Sequence, residues 1–598
     1  MRTGLARAFG WIGKAIAFPI IVLLVAVALW LPWLAMTVLP LPGHIRARWT
    51  WALRRGFWNG LATMKFRGNK PVAIPIPNRM SWWRWILVAL FGKRLSKINY
   101  VPFQQLFPDI PISNIRVAGH EPADEWHAAM KFVTWVQVRL YTLFPAMQPG
   151  LPGINPDPSE ALAQAYSNRH RQLFAPPILP LEFQGSTDLG SLAVRGPYAC
   201  YLKKYEVGPD RGKDKEAWDL PELRQDRDDL YEWDLRELGP YEHHAGLYNL
   251  GVRVLFRVDK PTRTVKPLRI RSELGLAKPG DSSWEFAKRL ALCAATNHLS
   301  LVRHFNGVHL ASAAHLAIAT RNCLFPDHFL CRLLWPYMFR TQQSNRAVTI
   351  AQMARGGDFD SIFSLTHRGM CDLFSATHSR YRFIVNHPEE DARHRGILDA
   401  GFDTPTQDDL RRLLDLMHRH ASEYVRMYYK SNAEIQGDEP VLKWLDELNH
   451  PDTGIPNGLQ IDRSNRVTRG NVTMDSLSRL IACFMYLVTV QHEIVGSFLW
   501  NYQLWAHKQP PRLYRNGTPL PLDVYQRLVN ANFNLNVLRT QLKNDFSYLL
   551  LPDGNRVQAA AALRQFQANL LDLEAEWRRE PWSVWRVYPS LLEVNINA

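Results

Sequence analysis

Three histidines, His298, His304 and His309, fall within twelve residues of a helical stretch, and a fourth, His492, stands alone in a later apolar helix. Imidazole ligates transition metals and moves protons near neutral pH, so two helices that each carry it inward could share one ion. Spacing tests the idea. Residues five apart lie about 140° apart around an α-helix. Neither His304 and His309, five apart, nor His298 and His304, six apart, can therefore meet one ion unless the helix widens locally. A π-bulge supplies that widening and is frequent at functional sites. A single buried histidine is more often an ordinary core residue, and that plainer reading applies to most of the 20 histidines, His243-His244 included.

The elements that would position these side chains are mainly α-helical. Beyond Trp284 the apolar spacing is helical and stays so, as in Thr404-Pro405, a cap with proline in the first turn, followed by Leu410, Leu413, Leu414, Met417, Ala421, Tyr424, Val425 and Tyr428. The apolar segment 475–507 carries Asp475, Arg479 and Glu493 and reads as a buried core helix rather than a membrane span. Before Trp284 the runs are short and β-like, clearest at Val252 to Val258, a turn at Asp259-Lys260-Pro261-Thr262, and Val265 to Ile270, which together predict a hairpin. A helix is expected over Pro122 to Phe144, stopped by Pro145, Pro149, Pro152, Pro156 and Pro158. These features divide the chain into a basic region 1–100, a helical and proline-rich connector 101–158, and a large domain 159–598.

The formal net charge is +16 over 598 residues, which spread evenly would point to nucleic acid. It is not spread evenly: residues 1–100 hold fifteen Lys/Arg and no Asp or Glu, leaving 56 basic against 55 acidic residues in the remainder. The same region contains the uncharged run Ala15 to Met36, long enough to cross a bilayer, followed by Arg46, Arg48, Arg54, Arg55 and the Trp82-Trp83-Arg84-Trp85 cluster. The expectation is a membrane-held protein, single-pass or, given Pro19, Pro32, Pro40 and Pro42, monotopic, with the large domain in the cytoplasm and the bilayer as its partner instead of nucleic acid. Six scattered cysteines without a C-x-x-C pair exclude a disulfide scaffold or a zinc ribbon.

Ordered motifs add a resemblance. Asp281-Ser282-Ser283-Trp284-Glu285-Phe286-Ala287-Lys288 precedes His304-(four residues)-His309-Leu310, then Ala317 to Leu324, His328 and Asn345-Arg346-Ala347. Leu230-Tyr231-Glu232-Trp233-Asp234, Tyr428-Tyr429-Lys430-Ser431 running to Gly437-Asp438, Gly454-Ile455-Pro456 and Val490-Gln491-His492 agree in order. From about residue 180 onward the chain resembles the lipoxygenases, without their usual N-terminal β-barrel domain. The resemblance implies a large helical catalytic domain and non-haem iron held by two histidines of the long helix, a third from the later helix, and the α-carboxylate of the last residue. His492 takes the third position. Counting without gaps from Trp284 puts His304 on the second ligand and the first on Leu299, with His298 one residue away and brought in by a bulge; His309 is the alternative. Ala598 would supply the carboxylate, although the family usually ends in isoleucine.

Two departures bear on the chemistry. Where the family commonly has Asn or His four residues after the third histidine, this chain has Gly496, so water, Ser497 or Asn501 would complete the sphere, with Gln491 alongside. Gln343 falls on the small-residue position associated with where oxygen attacks. The resemblance implies hydrogen abstraction from a methylene between two double bonds and addition of O2 to the radical, giving a hydroperoxide of an unsaturated lipid. Leu299, Leu301 and Phe305, with Gln343, would wall the pocket, though each is equally an ordinary core residue. Two other readings stay open: iron-dependent hydroperoxide isomerisation or oxidation of a non-fatty-acid apolar substrate, and a non-catalytic membrane scaffold on a degenerate fold.

Overall fold

The computed structural model describes residues 97–119, 180–206 and most of 229–596, with Trp218 and two short strands, Thr63–Lys65 and Pro71–Ala73. Residues 325–327, 339–340, 464, 497–501, 522–523, 526, 529–540, 581–584, 595 and 597–598 lie outside the description. So do the expected anchor 15–36, the Trp82 to Trp85 cluster and the helix expected over Pro122 to Phe144.

The predicted hairpin is present as Arg253–Asp259 and Thr264–Ser272, antiparallel with Val258 opposite Val265 and an irregularity at Leu255/Phe256. Arg263 turns the chain with φ of 52°. The hairpin sits within a five-stranded meander in which Lys203–Lys204, Leu230–Asp234, the two hairpin strands and Gly275–Ala277 pair in sequence order. Trp233, Val254, Phe256 and Ile270 of this sheet enter the main core.

The rest is helical. The amphipathic helix Pro405–Tyr428 buries Leu413, Met417, Ala421 and Tyr424 and packs on Met474–Tyr486 and Arg556–Trp577. Thr404 stands at its N-cap position but makes no side-chain capping bond, leaving Pro405 to set the first turn. Met474–Tyr486 begins with a reciprocal cap between Thr473 and Ser476, widens into a π-helical turn over Leu487–Gln491, and closes as His492–Val495 before Gly496. Every residue from Leu480 to Gly496 is buried in protein, as expected for a core helix.

The membrane localisation expected from the sequence is corrected. Among the described residues no helix is long and apolar enough to cross a membrane. The longest apolar helical stretch, 474–495, carries charge at Asp475, Arg479 and Glu493 and packs against neighbouring helices. Residues 97–119 pack Phe103, Ile110, Ile112 and Ile115 into the main core. Asn322 clamps them by bonding both the N–H and the carbonyl of Ile98, at 2.8 and 3.0 Å.

Candidate metal centre

The central helix is built from an α-helical part, Trp284–His298, a π-helical part, Leu299–Ala313, and a return to α-helix over Ala314–Cys323. Hydrogen bonds spanning five residues stack side chains five apart on one face, so the widened stretch aligns His304 with His309. Widening strains the ladder of carbonyls, and Ser312 answers it: its hydroxyl donates to the carbonyls of Gly307 and Val308 at 2.6 and 3.2 Å. Gly307 lies beside the Tyr381 ring, which would be in ordinary contact at 3.4 Å with a Cβ at that position.

His304, His309 and His492 converge. One ring nitrogen from each lies within 4.8 Å of the others, and the ring centroids are 4.9 Å (His304 to His309), 5.0 Å (His304 to His492) and 5.2 Å (His309 to His492) apart. His309 and His492 are buried, and His304 nearly so. His304 Nε2 and His309 Nε2 are 3.2 Å apart.

Protons decide what that distance means. Asn345 donates its Nδ2 hydrogen to the carbonyl of His309 at 3.0 Å, which turns Oδ1 toward the same ring. His309 Nδ1–H then donates to that oxygen at 2.9 Å, so Nε2 carries a lone pair facing His304. Burial pushes His309 down to about 4, and burial followed by its neighbour His309 pushes His304 well below the ordinary imidazole value. Neither ring is cationic at neutral pH. Two nitrogens each about 2.1 Å from one ion and subtending an angle near 100° would be about 3.2 Å apart. The donor set and spacing therefore fit a transition metal that accepts imidazole.

Gly496 closes the cluster from the far side. A Cβ there would stand 2.8 Å from His304 Nε2 and 2.7 Å from the His492 carbonyl oxygen. A side chain at this position would collide with the His304 ring.

The other expected site residues fall differently. His298 is not brought to the cluster: Tyr201 Oη lies 2.8 Å from its Nδ1 and Glu237 Oε1 2.5 Å from its Nε2. Six residues before His304, and in the α-helical part, it faces elsewhere, and both its nitrogens are spent. The ungapped count from Trp284 put the first ligand on Leu299, which led to its neighbour His298, while His309, carried as the alternative, is the one beside His304. Leu299, Leu301 and Phe305 are buried, and the Phe305 ring packs on His309 at 5.5 Å between centroids. Gln491 is buried and lines a polar cleft instead of the cluster. Gln343 belongs to the helix Thr341–Val348. Ser497, Asn501 and Ala598 lie outside the described residues, but the chain approaching its end is inside the core: Leu592, Val594 and Ile596 are fully buried, and the carbonyl of Leu592 accepts the Leu542 N–H at 2.8 Å. Sequence reasoning quoted Asn345 in a motif and gave it no role; it stands in the polar run Thr341 to Arg346, where nothing singles it out.

Comparison with known proteins bears on the whole arrangement. The Lipoxygenase family model matches residues 271–542. Polyunsaturated fatty acid lipoxygenase ALOX15 of Mus musculus is 25% identical over 321 residues, covering 50% of this chain and 46% of that protein. The chain thus spans about half the length of the curated relatives it matches. Among solved structures, Delta413-417:GS LOX superposes with a TM-score of 0.66 at 16% identity over 84% of this chain and 80% of the other. The manganese lipoxygenase of Gaeumannomyces graminis superposes with a TM-score of 0.65 at 15% identity, over 84% of this chain and 96% of the other. Matching family model, curated relatives and shared fold together support a divergent lipoxygenase family member.

Proposed function

We propose that the protein is a non-haem metal dioxygenase that adds O2 to an unsaturated lipid or a comparable apolar substrate to give a hydroperoxide. The observation that carries this reading is the convergence of His304, His309 and His492 from two helices that both widen where the histidines stand. These three residues would hold the metal, with the α-carboxylate of Ala598 as a further ligand that the buried approach of Val594 and Ile596 supports. Bound there, iron, or manganese as in the fungal structural relative, supplies the reversible one-electron chemistry needed to take a hydrogen atom from an activated methylene and let O2 add.

The chain's own residues do the rest. Asn345 holds the His309 ring in one tautomer and one orientation. Burial keeps His304 and His309 neutral, so both offer lone pairs across the physiological range. Phe305, packed on the His309 ring, would help exclude water from the cluster, which suits an apolar substrate and protects a radical. Metal analysis with oxygen uptake on polyunsaturated acids, their esters and isoprenoids tests the proposal. Metal bound in stoichiometric amount with no uptake on any substrate would count against it.

Gly496 favours a second reading. With no side chain at that position the metal would keep one more open site than in the family pattern, which suits rearrangement of a hydroperoxide. Consumption of a preformed hydroperoxide under anaerobic conditions, without oxygen uptake on its parent lipid, would select it.

A further inference from the structure

A polar cleft of about 340 Å³ opens on the other side of the central helix, lined there by Arg303 and Asn306, and by Gln491 from the helix that bears His492. None of the three clustered histidines lines it. Its walls carry five cations, Lys203, Arg303, Arg380, Arg382 and Arg395, against three carboxylates, Asp234, Glu237 and Asp391. Each carboxylate is already engaged. Asp391 holds Arg395 at 2.7 Å, and Glu237 holds Arg380 at 3.2 Å while meeting His298. Asp234 holds Arg236 at 2.7 Å and Lys203 at 3.6 Å.

Two guanidinium groups are left over. Among the described residues neither Arg303 nor Arg382 makes an ion pair within 4.0 Å. Arg303 lies over the Tyr201 ring, 5.5 Å from its centroid, and gives one donor to the Cys200 carbonyl at 3.3 Å, which leaves most of its planar donor fork unspent. Arg303 feels Asp391 and Glu237 at longer range, but two forks without a direct carboxylate contact in one concavity match the planar, bidentate geometry of a carboxylate or phosphate. The volume is several times that of a bare oxyanion and falls at the low end for small-molecule sites.

We propose that this cleft binds a small organic anion, its carboxylate or phosphate group seated between Arg303 and Arg382. Because Arg303 and Gln491 are chain neighbours of His304 and His492, a ligand here would lie against both helices of the histidine cluster without entering it. The proposal does not depend on the metal reading, since its charges and walls stand without one.

Calorimetric titration of the full chain at low salt tests it, with inorganic phosphate in one arm and succinate in the other to separate the two chemistries. At least one is expected to bind with a Kd of about 1 mM or tighter. That affinity should weaken about tenfold or more in Arg303→Gln and in Arg382→Gln, and fall with added salt, while metal content stays at the wild-type level. Arg382 is exposed, so its variant keeps the fold even if Arg303→Gln does not. Failure of both anions to titrate, or equal binding by wild type and Arg382→Gln, would overturn the proposal. A loss of metal in either variant with anion binding intact would instead mark these arginines as supports of the helices.

Discussion

Gly496 offers the sharpest test of the histidine cluster. Replacing it by alanine sets a methyl carbon 2.8 Å from His304 Nε2, 3.0 Å from His304 Cε1 and 2.7 Å from the carbonyl oxygen of His492. The carbonyl cannot retreat, because it accepts the Gly496 N–H at 2.9 Å at the end of a helix. The His304 ring must therefore give way, by roughly 0.6 Å to restore ordinary contact. Metal–ligand distances are held to about 0.2 Å, so a shift of that size takes His304 out of the ligand set. Overpacking should cost about 1–3 kcal/mol of stability. Metal affinity should fall by more than the roughly 10- to 100-fold that loss of a mere supporting residue costs. Gly496→Asn, which restores the residue common in the family, should be worse than Gly496→Ala, since the longer amide has to fit where the imidazole stands. Metal content after equilibration against a graded chelator, read beside a thermal melt, measures both quantities. Wild-type metal retention and an unchanged Tm in Gly496→Ala would refute the geometry on which the cluster rests.

Other outcomes follow from the same distances. His309→Ala should abolish metal retention, as should His304→Ala and His492→Ala, whereas His298→Ala should keep the metal and lose stability by breaking its contacts with Tyr201 and Glu237; metal analysis of the four variants separates the two histidines. Asn345→Ala frees the His309 ring and should lower metal affinity about 10- to 100-fold with the fold retained, measured by chelator competition and circular dichroism. His420 is stacked on Phe566 at 4.7 Å, and burial pushes it from 6.5 down to about 4. Below pH 6.5 the unfolded chain takes up a proton that the folded chain refuses, so stability falls as pH drops from 6.5 toward 4. His420→Leu should recover about 2 kcal/mol at pH 5 relative to its effect at pH 8, as measured by denaturant unfolding at both pH values.

The hairpin, the helical domain after Trp284 and the buried helix bearing His492 were legible because each rests on a local period that tertiary packing reinforced. The need for a widened helix was legible too, since it follows from counting residues between histidines. Which pair the widening would serve was not. The count from Trp284 put the first ligand on Leu299 and a one-residue bulge pointed to His298, whereas the π-helical stretch, which changes how many residues a turn consumes, brings His309. Asn345 lies 36 residues from its partner, and nothing local in Asn345-Arg346-Ala347 says which ring it supports. The role of Gly496 was likewise hidden: the sequence records a missing side chain, and only the packed structure reveals that the His304 ring occupies the space.

The fifteen-residue wide stretch Leu299–Ala313 also sets the azimuth of everything after it. Thr320 and Asn322, on the returning α-helix, reach the helix Glu439–Leu448: Thr320 accepts the Trp444 indole N–H at 3.1 Å, and Asn322 donates to Glu447 at 2.6 Å. Removing one residue between His304 and His309 would leave them four apart, a spacing at which an ordinary α-helix also aligns two rings. The same deletion would swing Thr320 and Asn322 by about 100° away from their partners. The extra residue thus serves as a rotational offset within a single rod, letting one end aim imidazoles at the centre while the other stays keyed to its neighbour. Tolerance to insertion or deletion along this rod should be governed by that phase.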